Sequence, residues 1–321
     1  KIFIKKNWLD KSDNRKMHLG SIPLNGGIGM FFGFFIGIVL LNGSFDNYLV
    51  LLLCSFLILS LGFIDDISNL SAHSRILAQT LVILIAFSVG LIQITSFGYI
   101  FGSNFLSLQN WSLLITLLAF MAGMNAQNLV DGIDGLSSGT ALISFTSIFY
   151  FSIISSNIEV SNLALLYISI LVPFIYLNLS KNKIFMGDSG ALFIGFGISW
   201  LLISSSQGDA AFIKPVTTLW IFAIPLIDIS SVIVIRIAAG HSPFQPDHNH
   251  IHNQLISRFK ISKKNTLFII LSLSFFLAIT GIILQNMSVP DWIMFALILG
   301  IFLLYLFFIF IFEKFTFFQA N

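Results

Sequence analysis

Residues 111–139 read WSLLITLLAFMAGMNAQNLVDGIDGLSSG, an apolar run that ends abruptly in a polar knot. The run, 111–127, is continuous rather than alternating, and a helix needs about 20 mostly apolar residues to cross a bilayer. In lipid only helices and closed barrels satisfy every backbone polar group. Unbroken runs of this length select the helix. The knot, Asn125–Gly139, places Asn125, Asn128, Asp131 and Asp134 among Gly132, Gly135 and Gly139. So many polar groups at the end of one helix exceed what capping requires.

The same pattern recurs along the chain. Ten apolar runs can be read as spans, at 26–41, 48–64, 76–94, 111–127, 138–155, 162–179, 191–206, 214–235, 265–285 and 291–312. Composition agrees: 56% of the 321 residues are hydrophobic and 9% are charged, against about 25% charged in a soluble domain. The expected fold is an all-α integral membrane protein, a multi-span helical bundle forming a single polytopic domain over 1–321. Its 36 phenylalanines suit lipid-facing surface. A net charge of +2, without basic-aromatic clusters, argues against nucleic acid. Cys54 is the sole cysteine, which rules out an internal disulfide and a thiolate zinc site.

Basic residues set the expected orientation. With Lys1 inside, alternating spans place every Lys and Arg except Lys214 on the cytoplasmic side. The outer connections, including 95–110, read as short or plain. The inner ones carry nearly all the chemistry.

Four constellations fall on that inner side. GFIDDISNLSAHSR brings the adjacent carboxylates Asp65 and Asp66, with Arg75 a few residues on. Paired carboxylates at a membrane boundary call for a nearby cation; alone, they equally describe an acidic turn capping the next helix. The polar knot follows, its glycines suggesting a tight bend between Asp131 and Asp134. KNKIFMGDSG sets Asp188 at the start of a span, after Lys181, where backbone N–H groups suit a phosphate or Asp188 is a simple first-turn cap. RIAAGHSPFQPDHNHIHNQL carries Asp247, His248, His250 and His252, and imidazoles in a basic loop can grip phosphate. Zinc fits less well, because no thiolate accompanies them. Asp228 lies inside a span, which makes it a functional candidate or a partner for another helix.

In order, GFIDD, NAQNLVDGIDGL, FMGDSG and PDHNHIH resemble the motifs of the polyprenyl-phosphate N-acetylhexosamine-1-phosphate transferases. RKMHLGSIPLNGG is also similar to the segment after that family's first span. The DxxHxH loop resembles the WecA-type initiators of O-antigen and related cell-surface polymers more than the MraY type, which handles UDP-MurNAc-pentapeptide. The resemblance implies a Mg²⁺-dependent phosphotransferase, with Mn²⁺ able to substitute. It would move N-acetylhexosamine 1-phosphate from a UDP-sugar, by default UDP-GlcNAc, to polyprenyl phosphate and release UMP. It implies an eleventh span upstream of Lys1, a bacterial inner-membrane location and a cytoplasmic active site; a homodimer is compatible with it.

For residues, the resemblance implies Asp188 as metal ligand, with Asp65 and Asp66 beside it. Asp65, Asp66, Asp131, Asp134, His250 and His252 would be catalytic. Asn125, Asn128, Asp247, His248, Arg75 and Lys181 would bind substrate. Two positions depart from the family loop, His248 where Arg is usual and Asn253 where the last His is usual. A cation-coupled transporter is the rival reading; it calls for acidic residues near mid-bilayer, and Asp228 alone approaches that place.

Overall fold

The computed structural model describes residues 9–10, 22–41, 48–181, 183–242 and 250–319. All ten apolar runs are helical. They form α1 (Gly26–Leu40), α2 (Leu49–Ser68), α3 (Ala72–Ser88), α4 (Ser112–Leu129), α5 (Leu136–Ile154) and α6 (Ile158–Asn178). The chain continues with α7 (Gly187–Ser206), the pair α8 (Pro215–Ile221) and α9 (Ala223–Ala238), the short α10 (Ile251–Ser257), α11 (Lys263–Asn286) and α12 (Asp291–Gln319). Seven of these helices are long and apolar enough to cross a membrane, and α1 and α3 are shorter apolar helices. The protein is a multi-pass helical membrane protein.

The run at 214–235 is not one straight span. It divides at Phe222, where α8 and α9 meet at 87°. Pro225 supplies the reason: it has no N–H to give the Ile221 carbonyl, so the helical ladder is interrupted there. Counted as one broken span, the pair raises the number to eight.

Nor is the chain wholly helical. The 95–110 connection, read as plain, is an antiparallel hairpin of β3 (Ser96–Phe101) and β4 (Asn104–Ser107). A second small pair joins β1 (Leu9–Asp10) to β2 (Ile22–Pro23). The hairpin is fixed by side chains from distant helices. Gln207 Oε1 accepts from Thr95 N at 2.9 Å and Ser96 N at 3.1 Å. Asp291 accepts from Tyr99 N at 3.1 Å and pairs with Lys214 at 2.9 Å.

At the centre stands α7, 94% buried along its apolar window, whereas α11 and α12 are buried along only 22% of theirs. Small residues allow this. Gly62 of α2 lies against the backbone of Asp188 and Ser189, Gly27 of α1 against Gly190, and Gly195 against Met124 of α4. Without Cβ atoms the helix axes approach closely, and packing rather than hydrophobicity drives association in lipid. Around α7 the aromatic rings of Phe34, Tyr167 and Phe193 interlock, and Tyr167 stacks on Phe145 at 4.4 Å. The crossing of α2 and α7 delivers two of the four polar motifs to one place.

Candidate active site

Asp66, in the last turn of α2, accepts hydrogen bonds from Asp188 N at 2.8 Å and Ser189 N at 3.2 Å. A carboxylate thus takes the first-turn N–H groups of α7 that the sequence offers to a phosphate, and satisfies the helix start itself. Gly187 enables the approach: its φ is +71°, and a Cβ there would meet Asp66 Oδ2 at 2.7 Å.

The adjacent Asp65 secures the α2–α3 turn and also meets the Asp188 side chain. It accepts from Leu70 N at 2.7 Å and pairs with Arg75 Nη1 at 3.1 Å. Arg75, expected to bind substrate, holds this buried carboxylate in place. The turn itself is set by Asn69 in the left-handed region, φ 50°, and by the Ser71 cap on Ser74 N.

The polar knot forms the tight bend that its glycines suggest. α4 ends at Leu129, and after Gly135, at φ +81°, α5 begins at Leu136. Asn128 donates to Asp188 Oδ1 at 2.7 Å, joining the knot to the Gly-Asp-Ser-Gly turn. Asn125 points elsewhere: its amide donates to Gln79 of α3 at 3.0 Å and to the Met121 carbonyl at 2.8 Å. Asp134 pairs with Lys183 at 2.7 Å. Asn178 ties the two turns together, accepting from Gly135 N at 2.7 Å and donating to the Ile184 carbonyl at 2.8 Å.

Asp131 retains a solvent-facing side although protein crowds it. That desolvation, and then the fields of Asp188, Asp134 and Asp66, raise its pKa well above the usual carboxylate value. The carboxylates of Asp131, Asp188, Asp134 and Asp66 thus lie close enough to oppose one another's ionisation.

The histidine segment docks on the same turn. His250 Nδ1 lies 3.0 Å from Asp228 Oδ2, and Ile251 N donates to Asp228 Oδ1 at 2.8 Å. The His252 ring stacks nearly parallel to that of His250, 5.9 Å between centroids, and packs against Gly132, where any Cβ would collide with it. All four motifs thus meet at one end of the bundle.

Burial lowers the His252 pKa to about 4, the His250 neighbour adding to this and Asp228 opposing it. His252 is neutral at pH 7 and meets a phosphate as a hydrogen-bond donor, not as a cation. Between about pH 4 and the unfolded value near 6.5 the unfolded chain binds the extra proton, so this contribution to stability is full above 6.5 and lost towards 4. The melting temperature in detergent should fall as pH drops through that window, and His252→Gln should flatten the fall.

Asp247 and His248 lie outside the described residues, and Lys181 is exposed on the turn after α6. Among the described residues no three His, Cys, Asp or Glu side chains form a ready-made metal cage. Sequence reasoning overlooked Gln79, Asn178 and Lys183, whose roles are contacts across the bundle. Asp228 was visible as a carboxylate inside a span, but its partner was not.

A family model of glycosyl transferase family 4 matches residues 48–206, which include both carboxylate pairs and Asp188. The undecaprenyl-phosphate alpha-N-acetylglucosaminyl 1-phosphate transferase of Yersinia pestis is 36% identical over 310 residues, covering 95% of this chain and 85% of its own. The enzyme of the same name from Escherichia coli K12 is 36% identical over 314 residues, with coverage of 95% and 84%. That of Haemophilus influenzae is 34% identical over 309 residues, with coverage of 94% and 87%. The chain belongs to glycosyl transferase family 4. These likenesses extend beyond the matched segment into the histidine region and the last helices, so the family assignment covers the whole site and not the carboxylate half alone.

Proposed function

We propose that this chain transfers N-acetylglucosamine 1-phosphate from UDP-GlcNAc to undecaprenyl phosphate, releasing UMP, at the cytoplasmic face of a bacterial inner membrane. The observation that carries the reading is the meeting of Asp66, Asp188, Asn128, Asp131, His250 and His252 at one end of a membrane bundle. The near-complete one-sidedness of Lys and Arg supports the cytoplasmic placement. Relatives whose names specify this donor group and this lipid support the substrates.

The donor set fits Mg²⁺. It consists of carboxylate and amide oxygens, and Mg²⁺ typically takes one or two carboxylates together with substrate phosphates and water. Asp188 would hold it, with Asp131 and Asp65 alongside; the Asp66 oxygens already serve the backbone N–H groups of Asp188 and Ser189. When bound, the ion would neutralise charge on the diphosphate and the departing UMP.

The protein's own groups orient the rest. A phosphate monoester has a second pKa of about 6, so the lipid phosphate is mostly dianionic at neutral pH and needs no strong base. Its oxygen attacks the sugar-bearing phosphorus, and the bond to the UMP oxygen breaks as the new diphosphate forms. Neutral His252 would donate to the diphosphate oxygens, His250, held through Nδ1 by Asp228, would offer Nε2 as an acceptor for a substrate O–H or N–H, and Asn128 steadies Asp188. An apolar cavity of about 600 Å³, lined in part by Ile100, Leu118, Leu202, Leu219 and Leu226, lies between the hairpin and the α8–α9 bend, towards the end of the bundle away from the carboxylate turn.

Purified protein with undecaprenyl phosphate and a panel of UDP-sugars should release UMP fastest with UDP-GlcNAc. Release with UDP-MurNAc-pentapeptide alone would replace this reading with the peptidoglycan one.

A further inference from the structure

Asp228 is a carboxylate set into a membrane helix, 1% exposed, with both of its oxygens turned to the histidine segment. Desolvating a carboxylate is costly, and an N–H at a helix start could be capped by a neutral Ser or Asn. A charged group achieves something those residues do not. Facing His250 Nδ1 with an acceptor-only partner, it fixes the proton on Nδ1 and leaves Nε2 as the ring atom for substrate.

We propose that Asp228 is a positioning residue for the transfer reaction, holding His250 in one orientation and one tautomer against the knot around Gly132. The inference rests on the proposed activity and names the group that aligns its histidines. The geometry forms a continuous chain. Asp228 anchors Ile251 N, the first helical N–H of α10, and the adjacent His250 ring. That ring stacks on His252, and His252 lies on Gly132, next to Asp131. A residue from the lipid-embedded helix α9 thereby sets the register of the histidine segment on the carboxylate turn. The bend at Phe222 gives α9 its own direction, independent of α8.

Asp228→Asn separates this role from a simple structural one. The amide oxygen can still accept from Ile251 N, but its NH₂ then faces Nδ1 and forces the proton onto Nε2. Loss of a partner that orients a catalytic or ligating histidine typically costs about 10- to 100-fold, and more where the tautomer inverts. We expect kcat for UMP release to fall about a hundredfold while the UDP-GlcNAc KM changes less than about threefold. In a double-mutant cycle, Asp228→Asn on a His250→Ala background should cost almost nothing further, because its target is gone. Asp228→Glu should recover part of the activity.

Two results would overturn the proposal: Asp228→Asn within about twofold of wild type, or effects of the two substitutions that multiply. Should Asp228→Asn fail to accumulate as folded protein, the cycle is run with Asp228→Glu, and coupling below about twofold is equally decisive. A wild-type protein that releases no UMP refutes the activity itself. An active wild type with independent mutants refutes only the role of Asp228.

Discussion

Asp188→Asn should reduce transfer of labelled GlcNAc-1-phosphate to undecaprenyl phosphate by about a thousandfold or more, leaving the helical bundle intact. The change removes one unit of negative charge at the point where the Asp66 turn, the Asn128 amide and Asp131 converge. The new amide keeps the shape, and its oxygen can still accept from Asn128. What it lacks is the charge to hold a hard cation against a diphosphate. Removing one electrostatic stabiliser of a transition state costs about 10²–10³ in rate, and removing a direct ligand adds the loss of the ion. Radiolabel in the lipid fraction, measured across a Mg²⁺ series, is the readout. Near-normal turnover at limiting Mg²⁺ would eliminate Asp188 as the ligand.

Gly62→Ala should damage both the fold and the reaction, although residue 62 bears no functional group. A Cβ there would lie 2.5 Å from Ser189 Cα and 2.6 Å from the Asp188 carbonyl oxygen. These are backbone atoms, which cannot swing away as a side-chain end would. α2 and α7 must separate, and overpacking of this kind costs about 1–3 kcal/mol. The same displacement pulls Asp66 from the two N–H groups it caps, one turn further along α2. The melting temperature in detergent and the rate of UMP release should fall together. Gly29→Ala, where an added Cβ meets nothing within 4 Å, is the matched control and should alter neither. A stable, active Gly62→Ala protein would show that the crossing is looser than the structure draws it.

Much of the site was legible because its parts are local. Asp65 with Asp66, Asn128 with Asp131, and Gly187 with Asp188 each lie within three residues of one another and are flanked by apolar runs, so composition alone isolates them. Their number on one side followed from counting spans. Division of labour among them was not legible. Asp65 and Asp66 are neighbours with the same side chain, yet one pairs with Arg75 while its side chain meets that of Asp188, and the other takes the backbone N–H groups that start α7. Asn125 and Asn128 share a helix and a spacing, but the first turns inward to Gln79 and the second reaches Asp188. A helix places successive residues about 100° apart, and which neighbour stands at each angle is a matter of packing.

The polar knot at 125–139 marks the same boundary between the two kinds of information. By itself the sequence determined that this protein lies in a membrane as helices, that a sharp polar bend follows 111–127, and which side chains that bend presents. Lipid imposes those results on any chain with such long apolar runs, since the backbone must satisfy its own hydrogen bonds. Only the tertiary structure decided that the bend meets Asp188 through Asn128, receives His252 on Gly132, and is tied to α9 through Asp228 and His250. Those contacts depend on how closely α2, α4 and α7 approach and on the direction of α9 after its 87° turn. Close approach is set by glycines acting in pairs across helices, and no single helix carries that information.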